Sequence, residues 1–146
     1  MTIERVRRVA AGELPMPPSG QTLGLRLVSV EEGSTTMQMP IDERFLNRGG
    51  GVQGGFLAAL ADANMGTAVG TVSTEGETHS TLEFKLNFVR PATAEAGPLT
   101  ATSRVLHRGR RIAHVEADIR NAGGELVAKA TSTWTIRKTD SKGEQP

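Results

Sequence analysis

Residues 1–20 mix charged and apolar side chains without a sustained period and read as a short helix or loose arm. Proline cannot continue a helix, so Leu14-Pro15-Met16-Pro17-Pro18-Ser19-Gly20 stops whatever precedes it. Two strands are expected at 24–31 and 35–41, hinged at the turn signal Glu32-Gly33-Ser34 as a hairpin. The character then changes. Asn47-Arg48-Gly49-Gly50-Gly51-Val52-Gln53-Gly54-Gly55 holds five glycines in nine residues and leads into an Ala- and Leu-rich run at 56–70. That run predicts a helix of roughly four turns. Its apolar residues go nearly all the way round, the pattern of a buried helix.

After a loop at 75–77 the period switches to two. In Thr81-Leu82-Glu83-Phe84-Lys85-Leu86-Asn87-Phe88, strict alternation puts Leu82, Phe84, Leu86 and Phe88 on one face. Pro91 ends this strand, and Glu95-Ala96-Gly97-Pro98 makes a turn. Further strands fit 99–107, 111–120 and 125–137, separated by Arg108-Gly109-Arg110 and Asn121-Ala122-Gly123-Gly124. The order is hairpin, one central helix, then four long antiparallel strands. One helix wrapped by one sheet is an α+β layout. The domain is expected to span residues 21–137, followed by a polar, frayed tail at 138–146.

The 146 residues suit one domain, and there is no cysteine, which excludes disulfide scaffolds, thiol nucleophiles and Cys-based zinc sites. A formal net charge of +1 and 3% aromatic residues argue against nucleic acid as a partner. No stretch is long and apolar enough for a membrane span, and no signal-peptide core follows the N-terminal charges, so a cytoplasmic protein is expected. His79, His107 and His114 are scattered without metal-ligand spacing and read as structural or surface residues. No GxSxG elbow or P-loop is present.

Asp62 is the sharpest chemical feature. A carboxylate among Ala59, Leu60, Ala61, Ala63 and Met65 is costly unless it is paired or hydrogen-bonded. It is either an edge residue touching solvent or a backbone donor, or a catalytic group. The glycine run is the second feature. Helix N-termini carry unpaired N–H groups and partial positive charge, and glycine at 54 and 55 lets a substrate oxygen approach them as in an oxyanion hole; the ordinary alternative is a flexible loop. Gly54 and Asp62 are eight residues apart, roughly 12 Å along one helix. One carbonyl cannot touch both. Acting together, they must come from different subunits across two antiparallel helices, in a two-fold dimer. Asn47 can cap or brace the glycine loop or hydrogen-bond substrate. Asn64 points to another helix face and reads as structural. His107-Arg108-Gly109-Arg110-Arg111 is either a solvated turn or, through Arg108, Arg110 and Arg111, a phosphate clamp for an acyl-CoA.

Asn47-x-x-Gly50-x-x-Gln53-Gly54-Gly55, continued by Asp62 and Gly66, resembles the signature of hotdog-fold acyl-CoA thioesterases, in the phenylacetate-pathway and 4-hydroxybenzoyl-CoA branch. Glu13-Leu14-Pro15 with Leu23-Gly24, Leu86-Asn87-Phe88-Val89-Arg90-Pro91 and Val105 to Arg111 extend the likeness over roughly residues 13–135. The resemblance implies a hotdog fold, with one long central helix wrapped by an antiparallel sheet and dimers often paired into tetramers. It implies hydrolysis of an acyl-CoA to a carboxylic acid and free CoA, with no cofactor beyond the CoA of the substrate. By it, Asp62 is the catalytic carboxylate, attacking directly or activating water. Gly54 N–H polarises the thioester carbonyl, Asn47 holds substrate or water, and the carboxylate and the glycine belong to opposite subunits. The position of Gln53 is usually His in this branch; Gln hydrogen-bonds but does not titrate, and a bracing role survives that exchange. A non-catalytic acyl-CoA binder is the alternative that Gln53 raises. A hydratase or dehydratase would need a His near the glycine turn or on the helix. Gln53, Gly55, Phe56, Thr81 and Leu82 join the arginines as expected substrate contacts, and the acyl pocket is expected beside Phe56, Leu57, Leu60 and the 78–82 strand.

Overall fold

The computed structural model describes residues 1–139. In chain order it contains α1 (Ile3–Ala10), α2 (Pro18–Thr22), β1 (Arg26–Glu31), β2 (Ser34–Met39), α3 (Gly54–Thr71), β3 (Glu77–Phe88), β4 (Leu99–Arg108), β5 (Ile112–Arg120) and β6 (Leu126–Lys138). Helix α1 is no loose arm: Val6 is buried in the same core as the sheet. The proline-rich stretch does end α1, but it also starts α2. Pro18 stands in the first turn of that helix, where its missing N–H is not needed and its fixed φ suits helix geometry.

All six strands pair antiparallel in the order β1-β2-β4-β5-β6-β3. The β1–β2 hairpin turns at Gly33, whose φ of 77° falls in the left-handed region that glycine tolerates. The sheet curls over one side of α3, and its inward positions are mostly small: Ala101, Ala113, Ala117, Ala128 and Ala130 are fully buried. The lack of side-chain bulk lets the helix lie close to the strands. Gly66 shows the same fit from the helix side, since a Cβ there would fall 2.6 Å from Trp134 Cη2.

Four expectations are corrected. Helix α3 starts at Gly54 rather than at residue 56, and in the single chain it is buried on one side only. Leu57, Leu60, Ala61, Met65, Ala68 and Val69 face the sheet, while Ala58, Ala59, Asp62 and Ala63 are partly exposed and Gly55 is exposed. Six strands cover only part of a helix circumference, so the apolar run includes a strip of small residues that the chain itself leaves open. Leu82 does not share the face of Phe84 and Leu86. The β3–β6 ladder runs Thr81↔Trp134 and then Glu83↔Thr133, so Leu82 is the extra residue of a β-bulge and is 56% exposed. Lys138 is still part of β6, so strand structure runs into the expected tail; residues 140–146 lie outside the described residues.

Helix and sheet are pinned by one buried polar cluster. Asn64 Nδ2 donates to the carbonyls of Thr35 (3.2 Å) and Ala101 (2.8 Å), and its Oδ1 accepts from the Thr35 hydroxyl at 2.9 Å. Asn64 is fully buried. It is structural, and it orients α3 against β2 and β4. Asn64→Leu takes a donor from two buried carbonyls, while the Thr35 hydroxyl keeps the Asn64 main-chain carbonyl at 3.1 Å, and is expected to cost about 2–4 kcal/mol. Urea unfolding should show a lower midpoint with an unchanged slope.

Candidate active site

The glycine loop is held by its own backbone and by Asn47. Asn47 Oδ1 accepts from Gly49 N at 2.8 Å and Gly51 N at 3.3 Å, and Asn47 N donates to Gly51 O at 2.7 Å. Gly50 N closes back on Asn47 O at 3.0 Å, with Gly50 at φ 78°. Asn47 is therefore a loop brace and not a helix cap, because the N-cap residue of α3 is Gln53. Val52 N donates to Ala92 O at 2.8 Å and Gln53 N to Phe45 O at 2.7 Å, so the loop is tied on both sides. The Gln53 side chain makes no cap hydrogen bond.

Gly54 and Gly55 are the first two helical residues, and their N–H groups have no helical carbonyl one turn back. The space beside Gly54 is not left for substrate: a Cβ there would meet Phe88 Cζ at 2.8 Å, so the glycine admits the aromatic ring. At Gly55 nothing lies within 4 Å of that position. Asn47, Gln53, Gly54, Leu57, Phe88 and Arg90 line a cleft of about 570 Å³ over this helix start.

Asp62 lies two turns further on and opens onto a different cavity. It is half-buried, and its Oδ1 accepts from the Thr81 hydroxyl at 2.7 Å. This contact depends on the β3 bulge, which turns Thr81 toward the helix in place of Leu82. The cavity, about 240 Å³, is lined by Asp62, Ala63, Gly66, Thr67, His79 and Trp134, and by Met16, Pro17 and Met37. It adjoins a mostly apolar space of about 450 Å³ enclosed by α1 and residues 14–18, the two sharing Met1, Met16, Pro17, Met37 and Thr67. Alternation could not single out Thr81, and distant chain segments supply the methionines. His79, read as structural or surface, packs its ring 5.7 Å from that of Trp134. Burial, and then the positive chain terminus, push its pKa down. Phe56 stacks on Phe45 at 4.5 Å, Leu57 lines the glycine cleft and Leu60 is fully buried, so none of the three borders the Asp62 cavity.

The basic turn forms a third location. Arg108 Nη2 pairs with Glu77 at 2.6 Å, so this arginine is already neutralised. Arg110 and Arg111 are joined by Arg137 and Lys138 of β6, two cations that are distant in sequence, around a cavity of about 650 Å³. The protomer thus keeps Asn47 with Gly54, Asp62 with Thr81, and the arginines in three separate places.

One helix cradled by a six-stranded antiparallel sheet is the hotdog fold. Residues 41–135 match the family described as acyl-CoA thioesterase N-terminal domain. A Saccharolobus solfataricus protein is 33% identical over 80% of this chain and 81% of its own length. The structure of a phenylacetic acid degradation-related protein from Ralstonia eutropha JMP134 superposes with a TM-score of 0.81 at 36% identity, over 89% of this chain and 98% of that one. Acyl-coenzyme A thioesterase PaaI of Escherichia coli is 29% identical over 74% of each chain. The chain belongs to the acyl-CoA thioesterase family, a family of thioester hydrolases. Among the described residues, no helix is long and apolar enough to cross a membrane.

The Glu77–Arg108 pair has a pH signature. Hydrogen bonds from Arg108 and from Thr74 N hold the Glu77 carboxyl at about 2, against an ordinary 4.5. A depressed carboxyl stabilises the fold above its unfolded pKa, and that contribution fades as pH falls through the folded value. Between pH 4.5 and 2 the protein should lose more stability than its Glu77→Gln variant, read as denaturation midpoints across that range.

Proposed function

We propose that this chain hydrolyses acyl-CoA thioesters at two composite sites of a symmetric dimer, each joining Asp62 and Thr81 of one subunit to the partner's Gly54. The carrying observation is the placement of Asp62, hydrogen-bonded to Thr81 at the mouth of an apolar cavity, in a different opening from the helix start. The open strip of small residues on α3 supports a second helix packing there. The acyl group fits the apolar cavity beside Asp62. The thioester oxygen sits on the unpaired N–H groups at the partner's helix start, where the helix dipole favours developing negative charge.

The Asp62–Thr81 pair favours the water route over direct attack. With Oδ1 occupied by the Thr81 hydroxyl, Oδ2 and the hydroxyl oxygen offer two neighbouring acceptors that can hold one water. Asp62 takes a proton from that water as its oxygen bonds to the carbonyl carbon. The C–S bond then breaks, and the proton passes to the departing CoA thiolate. Water is the only co-substrate. Single-turnover hydrolysis in heavy-oxygen water should place the label in the acid product; label in Asp62 would show direct attack. Arg110, Arg111, Arg137 and Lys138 are placed to clamp the CoA phosphates.

Asp62→Asn is expected to lower kcat by about 10³-fold while CoA affinity stays near wild type, followed by thiol release and by CoA titration. CoA binding without thiol release by the unmodified protein, across short, aromatic and long acyl groups, would favour a binding-only role. Mixing Asp62→Asn subunits with Gly54→Val subunits should restore about a quarter of the wild-type activity, since half the molecules are mixed and each has one intact site. No recovery would place both groups in one chain. The Arg110→Ala, Arg111→Ala double variant should raise KM about tenfold with little change in kcat.

A further inference from the structure

The cavity beside Asp62 continues into a larger one, and this inference rests on the composite-site reading that places the acyl group there. Past Met16, Met37 and Thr67, its 240 Å³ lead into the apolar space of about 450 Å³ under α1. Helix α1 packs against β1 and α3, with Val6 in the core and Val9 packed against it. It does not fill the space it covers. Close-packed interiors hold few voids larger than a water molecule, so a chamber of this size under a docked helix points to an occupant.

The lining identifies the chemistry of that occupant. Val6, Val9, Leu14, Leu27 and Met37 supply apolar walls. The two neutral polar side chains that border the chamber are already engaged within the chain. Thr67 Oγ1 donates to Ala63 O and Gln21 Nε2 donates to Met16 O, each at 2.7 Å. Arg5 is exposed at the rim. Among the described residues, no set of free polar groups converges on the interior, as recognition of a polar ligand would require. Met16 and Met37 stand where the two spaces meet. Unbranched and adaptable, they suit a thin, flexible chain passing between them. A compact aromatic acyl group ends within the first cavity, beside Trp134, and leaves the chamber empty.

We propose that the chamber under α1 is the distal part of the acyl pocket, that the site takes straight aliphatic acyl groups in preference to aromatic ones, and that Val6 and Val9 set their length. The thioester stays at Asp62, the chain runs past Met16 and Met37, and its end lies against α1. Helix α1 and residues 14–18 are then specificity elements that touch methylenes and not the reacting atoms. Burial of a methylene so far from the thioester stabilises the bound substrate and the transition state alike, so the gain falls in KM and not in kcat.

A substrate series and a photolabel test this. From butyryl- through hexanoyl- and octanoyl- to decanoyl-CoA, kcat/KM should rise about two- to fourfold per methylene, the upper figure corresponding to about 0.8 kcal/mol. Decanoyl-CoA should exceed phenylacetyl-CoA by at least about tenfold. Val9→Trp, which fills the chamber from α1, should lower the decanoyl-to-butyryl ratio of kcat/KM by at least about tenfold. A profile flat beyond butyryl, a preference for phenylacetyl, or a ratio that Val9→Trp leaves unmoved would overturn the proposal. The label covers the case in which the tryptophan variant folds poorly. A thioether analogue of decanoyl-CoA, which cannot be hydrolysed, carries a diazirine at the chain end and is irradiated on the unmodified protein. Mass spectrometry should find it attached within residues 5–27 or at Met37; attachment confined to α3 and β3 would overturn the proposal. The two readings fail separately. If Asp62→Asn stays active and the label lies under α1, the catalytic reading falls and the chamber stands. If Asp62→Asn is inactive and the label is confined to α3 and β3, only the chamber falls.

Discussion

Between Thr81 and Glu83 the β3–β6 ladder takes one residue more on β3 than on β6, and the facing of β3 changes there. Below the bulge Glu77, His79 and Thr81 turn toward the helix; above it Phe84, Leu86 and Phe88 do. An unbulged strand would aim Leu82 at Asp62 and send the threonine outward. A leucine against a half-buried carboxylate leaves the carboxylate short of donors and raises the cost of keeping it charged. With the bulge, Asp62 has a 2.7 Å hydroxyl partner, and Leu82 moves to the open edge of the sheet. One inserted residue thus sets both the polar contact at Asp62 and the exposure of Leu82 at the sheet edge.

The same economy of space governs α3. Its sheet-facing side is closely packed, since a Cβ at Gly66 would fall 2.6 Å from Trp134, and the Asn64 cluster fixes its rotation. The far side carries Asp62 among small residues, with Phe56 partly exposed near its N-terminal end. A helix that is rotationally locked and has a smooth outer strip presents its carboxylate at a defined angle to whatever packs there. The N-terminal end is equally constrained. The glycine loop is tied through Asn47, Val52 and Gln53, so the free N–H groups are oriented before any substrate arrives, which is what electrostatic stabilisation of an oxyanion requires.

Most elements are legible from periodicity and turn residues. The hairpin at Gly33, the glycine-led helix and the last three strands fall within a residue or two of their expected limits, because each is bounded by glycine or proline and patterned on one period. Two kinds of feature are not legible. A bulge leaves no mark in an alternating pattern, so the apolar parity of 82–88 pointed to Leu82, not Thr81, as the residue over the helix. The apolar pattern of α3 exceeds what one chain buries, because composition reports that a face is apolar, not what covers it. Asp62, Asn47 and Gly54 stand out locally as a charge in an apolar run and a glycine cluster before a helix. Met16, Met37, Arg137 and Lys138 carry no local sign of a role, since they reach their cavities only through the fold.

The basic turn shows how pairing changes a sequence reading. Five residues, His107 to Arg111, look like a single positive cluster, yet Glu77 sits within 2.6 Å of Arg108 and removes its charge from the account. Glu77 comes from the start of β3, just past the end of α3, so this ion pair fastens the β4–β5 turn to the strand that also carries Thr81. What replaces the lost charge is Arg137 and Lys138 at the end of β6. The positive cavity is therefore assembled from two strand ends and anchored by a third. Its position relative to Asp62 is set by the rigid sheet, a firmer support for an anionic ligand than the flexible turn the sequence alone suggests.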